Sequence, residues 1–469
     1  MHSYSIHTFD AQFIGTPALG QVVHFDSILH TATLQERFTS KVMLRPDVSF
    51  TPDQVELSDV FNLDFANGLT EYEWCQKVEP ILSRPNTLHV GIGITNSVDK
   101  HVRFGLYRNL STLPHTTVPN GSYSLDLLTV LRSCALLRPS QLPVSIDSQW
   151  PEQHIREFLH RSYPDESRAG TVIQVLRGLS QTNPALVKFA IGKSSPAHIA
   201  RSLGLVDGQL ESLSLLKPVF CCHDSIQNSK NYAFLLAMGV DHQYPNIVYA
   251  VDLEADLSAL IEDGGRDVSS FIRMTSDQVD RPILRLNLNR IPFVSSLAAV
   301  GKEAVRRLGA DVRRIMANSA ALQDQTEICL SLLEATSASE TSVNADPDFQ
   351  LYGADYQDSD RNLLIDLHKL PFTEWGTKLA AAKDDRIKVL GNRLISRFAP
   401  ALLGNDDQIK WRAHCADRLG GRLQRHQRES IRDYCSGISA QTGIPKGMRV
   451  AATHWLKTIE NGNERKEFV

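Results

Sequence analysis

Apolar and polar positions alternate from Ser5 to Leu29. The turn-prone Gly15-Thr16-Pro17 interrupts them, and this period of two predicts strand, turn, strand. Val90 to Ile94 (VGIGI) is a short unbroken apolar run suited to a buried strand. The period then lengthens. Residues 100–110 and 124–137 carry helical spacing, and in the second Leu125, Leu128, Leu131 and Ala135 share a face that excludes Arg132 and Arg138. Another amphipathic helix is predicted over 171–179, after Asp165-Glu166-Ser167-Arg168. Strands alternating with helices over the first 180 or so residues predict an α/β layer fold around a sheet.

From Leu215 the texture changes to strand-like pieces at 217–222, 232–238, 246–252 and 283–287, separated by Gly, Asn, Asp and Pro. This predicts a compact β-rich module. Residues 299–333 read as one or two helices. The stretch Thr336 to Asp348 (TSASETSVNADPD) is small and polar, as a linker is. Residues 361–469 are helical in period almost throughout, notably 387–398 and 407–423. The expected organisation is an α/β domain over 1–183, a β-rich domain with flanking helices over 184–335, a linker over 336–348 and a basic helical domain over 349–469.

Composition narrows the class. The 469 residues are 42% hydrophobic and 22% charged, which excludes a disordered chain and a small stapled module. Seven scattered cysteines without a C-x-x-C pair indicate neither a disulfide framework nor a zinc site, so reduced thiols in a cytoplasmic protein are expected. No segment has the length and apolarity of a membrane span or a signal peptide. The net charge of -4 gives no electrostatic case for a nucleic-acid partner. The charge is unevenly distributed: from Lys383 onward 17 Lys and Arg stand against 10 Asp and Glu, while residues 1–382 carry 32 against 43. An anionic partner, if there is one, is expected to meet the C-terminal part, with a solvated helical face as the alternative.

Three groups of segments bear on function. They are Phe9-Asp10-Ala11-Gln12-Phe13-Ile14-Gly15-Thr16 with Pro17-Ala18-Leu19; Leu106-Tyr107-Arg108-Asn109 with Leu125-Asp126-Leu127-Leu128 and Arg132 to Pro139; and Leu216-Lys217-Pro218-Val219 with Asn246 to Glu262 and Gln350-Leu351-Tyr352. In order and spacing the chain resembles bacterial exonuclease I, the 3′ to 5′ single-strand DNA exonuclease of the DEDDh class. That resemblance implies an RNase H-like DEDDh exonuclease fold with an SH3-like β domain and a C-terminal helical domain. Phosphodiester hydrolysis of that class uses two divalent cations on carboxylate oxygens and a histidine base.

Carried onto this sequence, the family's first strand motif, Asp-x-Glu, falls on Asp10-Ala11-Gln12. The second aspartate falls on Val98, with Asp99 beside it, and the histidine and final aspartate fall on Ala169 and Gln174. A glutamine offers an oxygen without charge, and valine and alanine offer no ligand. No catalytic residue and no cofactor is expected, with Asp10 and Asp99 as residual metal ligands; Mg²⁺ is implied only if other carboxylates, such as Asp165 or Glu166, restore the site. His154 and His160 precede the expected base, and read as ordinary helical histidines.

For nucleic acid, Arg418, Arg422, Arg425, Arg428 and Arg432 recur at helical spacing and suit a phosphate track. Arg306, Arg307, Arg313, Arg314 and Arg412 are further cations, and Trp411, Tyr434 and Trp455 are candidate stacking residues. The resemblance also implies docking of the tail of single-strand-binding protein on residues 292–323. There Ser296, Gly301 and Gln323 fall where arginine and glutamine are expected, which puts that partner in doubt. The expectation is a pseudo-nuclease that binds single-stranded DNA or serves as a scaffold for other protein subunits of a DNA-processing or defence assembly. An active exonuclease with substituted ligands and a purely structural subunit are the alternatives.

Overall fold

The computed structural model describes residues 5–31, 33–49, 67–113, 121–226, 230–273, 278, 280–337, 346–420, 425–440, 449–450 and 452–457. The alternating N-terminal pattern forms β1 (Ser5–Ile14), β2 (Gln21–His30) and β3 (Gln35–Lys41). Next come α1 (Glu71–Leu82), started by a capping box of Thr70 and Glu73, then β4 (Thr87–Gly91) and α2 (Asp99–Arg108). β5 (Tyr123–Asp126), α3 (Leu127–Leu137), α4 (Glu152–Ser162) and α5 (Arg168–Thr182) follow. Residues 124–126, expected at the start of a helix, end a strand instead. The Asp126 side chain accepts from Leu128 N and caps α3, so the helix cannot begin earlier.

Helices α6 (Pro184–Gly192) and α7 (Pro196–Ser202) lead into the short hairpin β6 (Leu205–Val206) and β7 (Gln209–Leu210). The β-rich module is β8 (Val219–Cys222), β9 (Tyr232–Val240), β10 (Ile247–Asp252), α8 (Ser258–Asp263), β11 (Ile272–Arg273), β12 (Ile283–Asn287) and β13 (Phe293–Ser296). The segment read as one or two helices holds four: α9 (Leu297–Val300), α10 (Lys302–Arg307), α11 (Val312–Gln323) and α12 (Thr326–Ser337). Gly301 at φ +85° and Gly309 at φ +68° break it, since a helix cannot pass through positive φ. The C-terminal part contributes α13 (Asp358–Leu367), α14 (Phe372–Leu379), α15 (Asp385–Phe398), α16 (Asn405–Gly420) and α17 (Arg425–Ala440). The expected linker starts within α12 and ends at the ordered turn Pro347–Phe349; 338–345 lie outside the described residues.

The chain forms two compact units, one of Met1–Thr87, Asn96–Ser122 and Val343–Val469, the other of Leu88–Thr95 and Tyr123–Ser342. In the first, β1 and β3 both pair antiparallel with β2, so β2 lies between them. Its C-terminal helices build a core of Leu364, Leu367, Trp375, Leu379, Leu390 and Leu394, on which Phe104, Tyr107 and Leu110 of the N-terminal part also pack. In the second, β4 and β5 pair in parallel. Its six-stranded sheet has the order β11-β12-β10-β9-β8-β13, with Phe234, Leu236 and Met238 of β9 at the centre of one core and Ala233, Leu235 and Ala237 in another. Alternate residues of one strand thus serve opposite faces. All seven cysteines are free thiols, and among the described residues no helix is long and apolar enough to cross a membrane.

Candidate functional site

On β1 the period of two separates Phe9 and Ala11 from Thr8, Asp10 and Gln12. The first set is apolar: Phe9 packs on Phe25 (ring centroids 5.7 Å apart), which meets the edge of Trp74 at 5.8 Å. The second set is polar and also buried, with Asp10 1% and Gln12 8% exposed. Antiparallel pairing sets Asp26 directly opposite Asp10, and His24 opposite Gln12. Asp26 accepts from the Thr39 hydroxyl at 2.6 Å. The sequence reading missed this second carboxylate. Its signal was the length of the turn, which determines the hairpin register.

The turn after β1 is held by side chains from three other segments of the same unit. Arg108 donates to the carbonyls of Ala18 (2.8 Å) and Gly20 (2.9 Å), and Arg45 to those of Leu19 and Gly20 (both 2.9 Å). Glu71 bridges the two guanidinia and accepts from Asn109 Nδ2. Burial, then the neighbouring Arg108, pushes Arg45 down to about 10. Tyr107-Arg108-Asn109 and Thr16-Pro17-Ala18-Leu19, two segments that carry the resemblance, are thereby explained as the two sides of one hydrogen-bonded frame.

The other positions differ in kind. Val98 is fully buried at the end of a π-helical turn, Ile94–Val98. Asp99 opens α2 and is engaged by Arg103 one turn on, at 2.5 Å. In the second unit Ala169 is fully buried, and Gln174 donates its amide to Glu166 at 2.6 Å. Glu166 is half-buried and Asp165 exposed. His154 stacks on Trp150, and His160 Nδ1 lies 3.1 Å from the Thr171 hydroxyl. At the five positions on which the resemblance was expected to set the motif, Asp10, Gln12, Val98, Ala169 and Gln174, the side chains are one carboxylate, two amides and two alkyl groups without a donor atom. They do not fit a pair of divalent cations, which need carboxylate charge. Among the described residues no group of three or more His, Cys, Asp or Glu side chains is placed to hold a metal ion.

The arginine track requires correction at its first member. Arg418, expected as a phosphate contact, has a side chain only 8% exposed and donates to Asp346 (2.7 Å) and Asp348 (2.5 Å). Arg422 lies outside the described residues, as do the side chains of Arg425 and Arg428; Arg432 is exposed on α17. Several other C-terminal cations are internally paired. Arg393 also meets Asp346 and Asp348, Arg397 meets Asp47, and Lys388 and Lys410 meet carboxylates on their own helices. Trp455 is fully buried and no stacking surface, Tyr434 is 41% exposed, and Trp411 is half-buried.

On the second unit, Ser296 caps α9 and Gln323 donates to the Leu216 carbonyl. Arg138, which follows α3, donates to the Val300 carbonyl at 3.1 Å beside Gly301. Sequence order concealed it, because 163 positions separate the two residues.

The family description of the exonuclease I SH3-like domain matches residues 215–335, and that of the exonuclease I C-terminal domain matches residues 345–453. Exodeoxyribonuclease I of Buchnera aphidicola subsp. Schizaphis graminum is 23% identical over 374 residues, covering 75% of this chain and 73% of that one. The Escherichia coli K12 enzyme of that name is 21% identical over 370 residues, 74% and 75% of the two chains. The solved exonuclease I of Methylocaldum szegediense superposes with a TM-score of 0.81 at 20% identity, covering 98% of this chain and 100% of that one. E. coli exonuclease I in complex with a dA16 oligonucleotide does so at 0.78 and 17%, over 99% of both. The architecture is the RNase H-like exonuclease fold with its SH3-like and helical domains, and the chain belongs to the exonuclease I family.

Proposed function

We propose that this chain is an exonuclease I-like pseudo-nuclease, which binds single-stranded DNA or scaffolds a DNA-processing or defence assembly without two-metal hydrolysis. One feature supports the reading: in the register of the resemblance, Gln12, Val98, Ala169 and Gln174 fall where the family's chemistry needs two acids, a base and a third acid. Two cations roughly 4 Å apart repel strongly and are held only where carboxylates offset their charge. Asp10, even with Asp26 opposite it on β2, offsets at most two of the four units that two dications carry. Binding of single strands is supported by the oligonucleotide complexes of E. coli exonuclease I, to which this fold is similar. A solved complex of single-strand-binding protein with exonuclease I supports a protein partner, and Arg138 beside Gly301 supplies a cation there.

The test is digestion of a 3′-labelled oligonucleotide with Mg²⁺ or Mn²⁺. No shortening is expected; processive shortening that Asp10→Ala abolishes overturns the reading.

A second reading, an exonuclease with substituted ligands, has one observation in its favour. The Glu166 carboxylate lies against Gln174 and brings to that position the charge the glutamine lacks. In that case Glu166→Gln, too, abolishes shortening.

A further inference from the structure

Within the first unit, the turn Pro400–Leu402 and the start of α16 enclose an open cavity of about 310 Å³, lined by Pro400, Ala401, Leu403, Gln408, Trp411 and Arg412. Its walls are set before any ligand arrives. The Leu403 N–H donates to the Pro400 carbonyl, and Gln408 Nε2 donates to the Leu403 carbonyl at 3.1 Å, which leaves Gln408 Oε1 as an acceptor. The Trp411 indole is stacked with His414 (centroids 5.2 Å apart, planes 19° apart), and the Arg397 guanidinium lies 6.0 Å from its centre. Arg397 is itself fixed by Asp47, so the indole has a defined orientation.

Arg412 differs from its neighbours. Lys410 is paired with Asp407, Arg393 and Arg418 with Asp346 and Asp348, and Arg397 with Asp47. Among the described residues no carboxylate pairs with the exposed Arg412, which leaves a guanidinium for an anion at the mouth of an apolar pocket. The size is at the lower end for small-ligand sites. An indole and aliphatic wall, one amide oxygen and one cation complement a flat body with a phosphate close by.

We propose that this cavity is a nucleotide subsite: one base of a single strand lies against Trp411 and its phosphate pairs with Arg412. The inference rests on the single-strand-binding reading and names where one unit of that strand sits. Stacking on an aromatic side chain is sequence-tolerant, and the site is expected to accept any base.

The experiment measures binding of the full chain to dT15, rU15 and a fifteen-unit abasic strand at several salt concentrations. Trp411→Ala is expected to weaken dT15 binding roughly tenfold and to leave the abasic strand unaffected. Arg412→Gln is expected to weaken both and to lower the slope of log affinity against log salt by about 0.7, the value for one phosphate contact on a single strand. Trp411→Phe, which keeps a ring, should retain most of the affinity, and melting temperatures establish that each variant is folded. Equal weakening of rU15 assigns the site to single strands of either sugar; weakening of dT15 alone assigns it to DNA. If the unaltered chain binds dT15 and Trp411→Ala binds it equally well, this subsite is overturned and the single-strand reading stands. If the unaltered chain binds no strand, both fall. Displacement of dT15 by an acidic, apolar peptide but not by excess dTMP would reassign the cavity to a protein and overturn the proposal.

Discussion

Asp47 and Arg397 illustrate what single residues do in this protein. Both side chains are almost fully buried, at 1% and 0% exposure, and they meet through a bidentate contact whose shortest distance is 2.6 Å. Burial alone would push the Asp47 carboxyl up, but Arg397 and Arg45 hold it well below the ordinary carboxylate range. Such a pair is weak evidence for net stability, because desolvation cancels much of the attraction, yet breaking it leaves one charge buried without compensation. Asp47→Ala is therefore expected to destabilise the first unit by about 3 to 5 kcal/mol. Pairing Asp47→Leu with Arg397→Met should recover most of that loss. Denaturant unfolding of the single and double variants measures both; equal losses in the two would refute the stranded-charge account. Nothing in the sequence pattern points to Asp47, for a physical reason. Its partner is 350 positions away, and charge patterning along a chain carries no information about contacts at that separation.

At the scale of elements, the strand-to-helix join at Asp126 concentrates several roles in one carboxylate. Asp126 accepts from Gly93 N (2.8 Å), Thr95 N (3.0 Å), the Thr95 hydroxyl (2.8 Å) and Leu128 N (2.9 Å). It thereby caps α3 and holds the loop that leaves β4. Burial still leaves its carboxyl above the ordinary range, with the four donors opposing that rise. Replacing it by alanine removes a cap, at about 1 kcal/mol, and strands buried donors at about 1 to 3 kcal/mol apiece. Asp126→Ala is thus expected to cost about 3 kcal/mol or more. Asp126→Asn should cost less, since its carbonyl can still accept from Gly93 and Leu128. Amide exchange at residues 93–95 and 127–130 reports the loss locally, and protection there equal to that of the unaltered chain would exclude this role.

This join also shows what the pattern of residues can and cannot reveal. The apolar spacing of 124–137 was legible as a helix, whereas the strand Tyr123–Asp126 was not, because four residues are too few to establish a period. The hairpin of β1 and β2 was legible from its alternation and its Gly15-Thr16-Pro17 turn. The π-helical turn Ile94–Val98 has no periodic signature, and it falls where the sequence left the register of Val98 and Asp99 against the family motif open. The arginine track failed at Arg418 for a related reason. Helical spacing predicts which residues share a face, but the face of Arg418 is met by Asp346 and Asp348, from the end of the expected linker.

For the molecule as a whole, the buried ionic network of the first unit sets a dependence on pH. Burial, reinforced by Arg393, pushes His414 down to about 4 even though Asp47 lies 4.0 Å away. Burial likewise pushes His454 down to about 4. In the unfolded chain both rings take up a proton near pH 6.5. Between pH 6.5 and 4 the unfolded state therefore binds more protons than the folded one, and stability falls as the pH is lowered. The full effect is about 3 kcal/mol for each ring, complete once the pH is below 4. The Asp47 carboxyl, depressed in the folded state, adds a further loss that starts only as its unfolded counterpart protonates below about 4. Urea unfolding at intervals from pH 7 to 4 should show the first unit weakening across that window. His414→Phe and His454→Phe should each flatten the slope by the equivalent of one proton, whatever they do to stability at pH 7. A slope unchanged in the double variant would mean that the acid sensitivity originates in other groups. That comparison separates the histidines from Asp47, because the carboxylate's contribution begins where theirs ends.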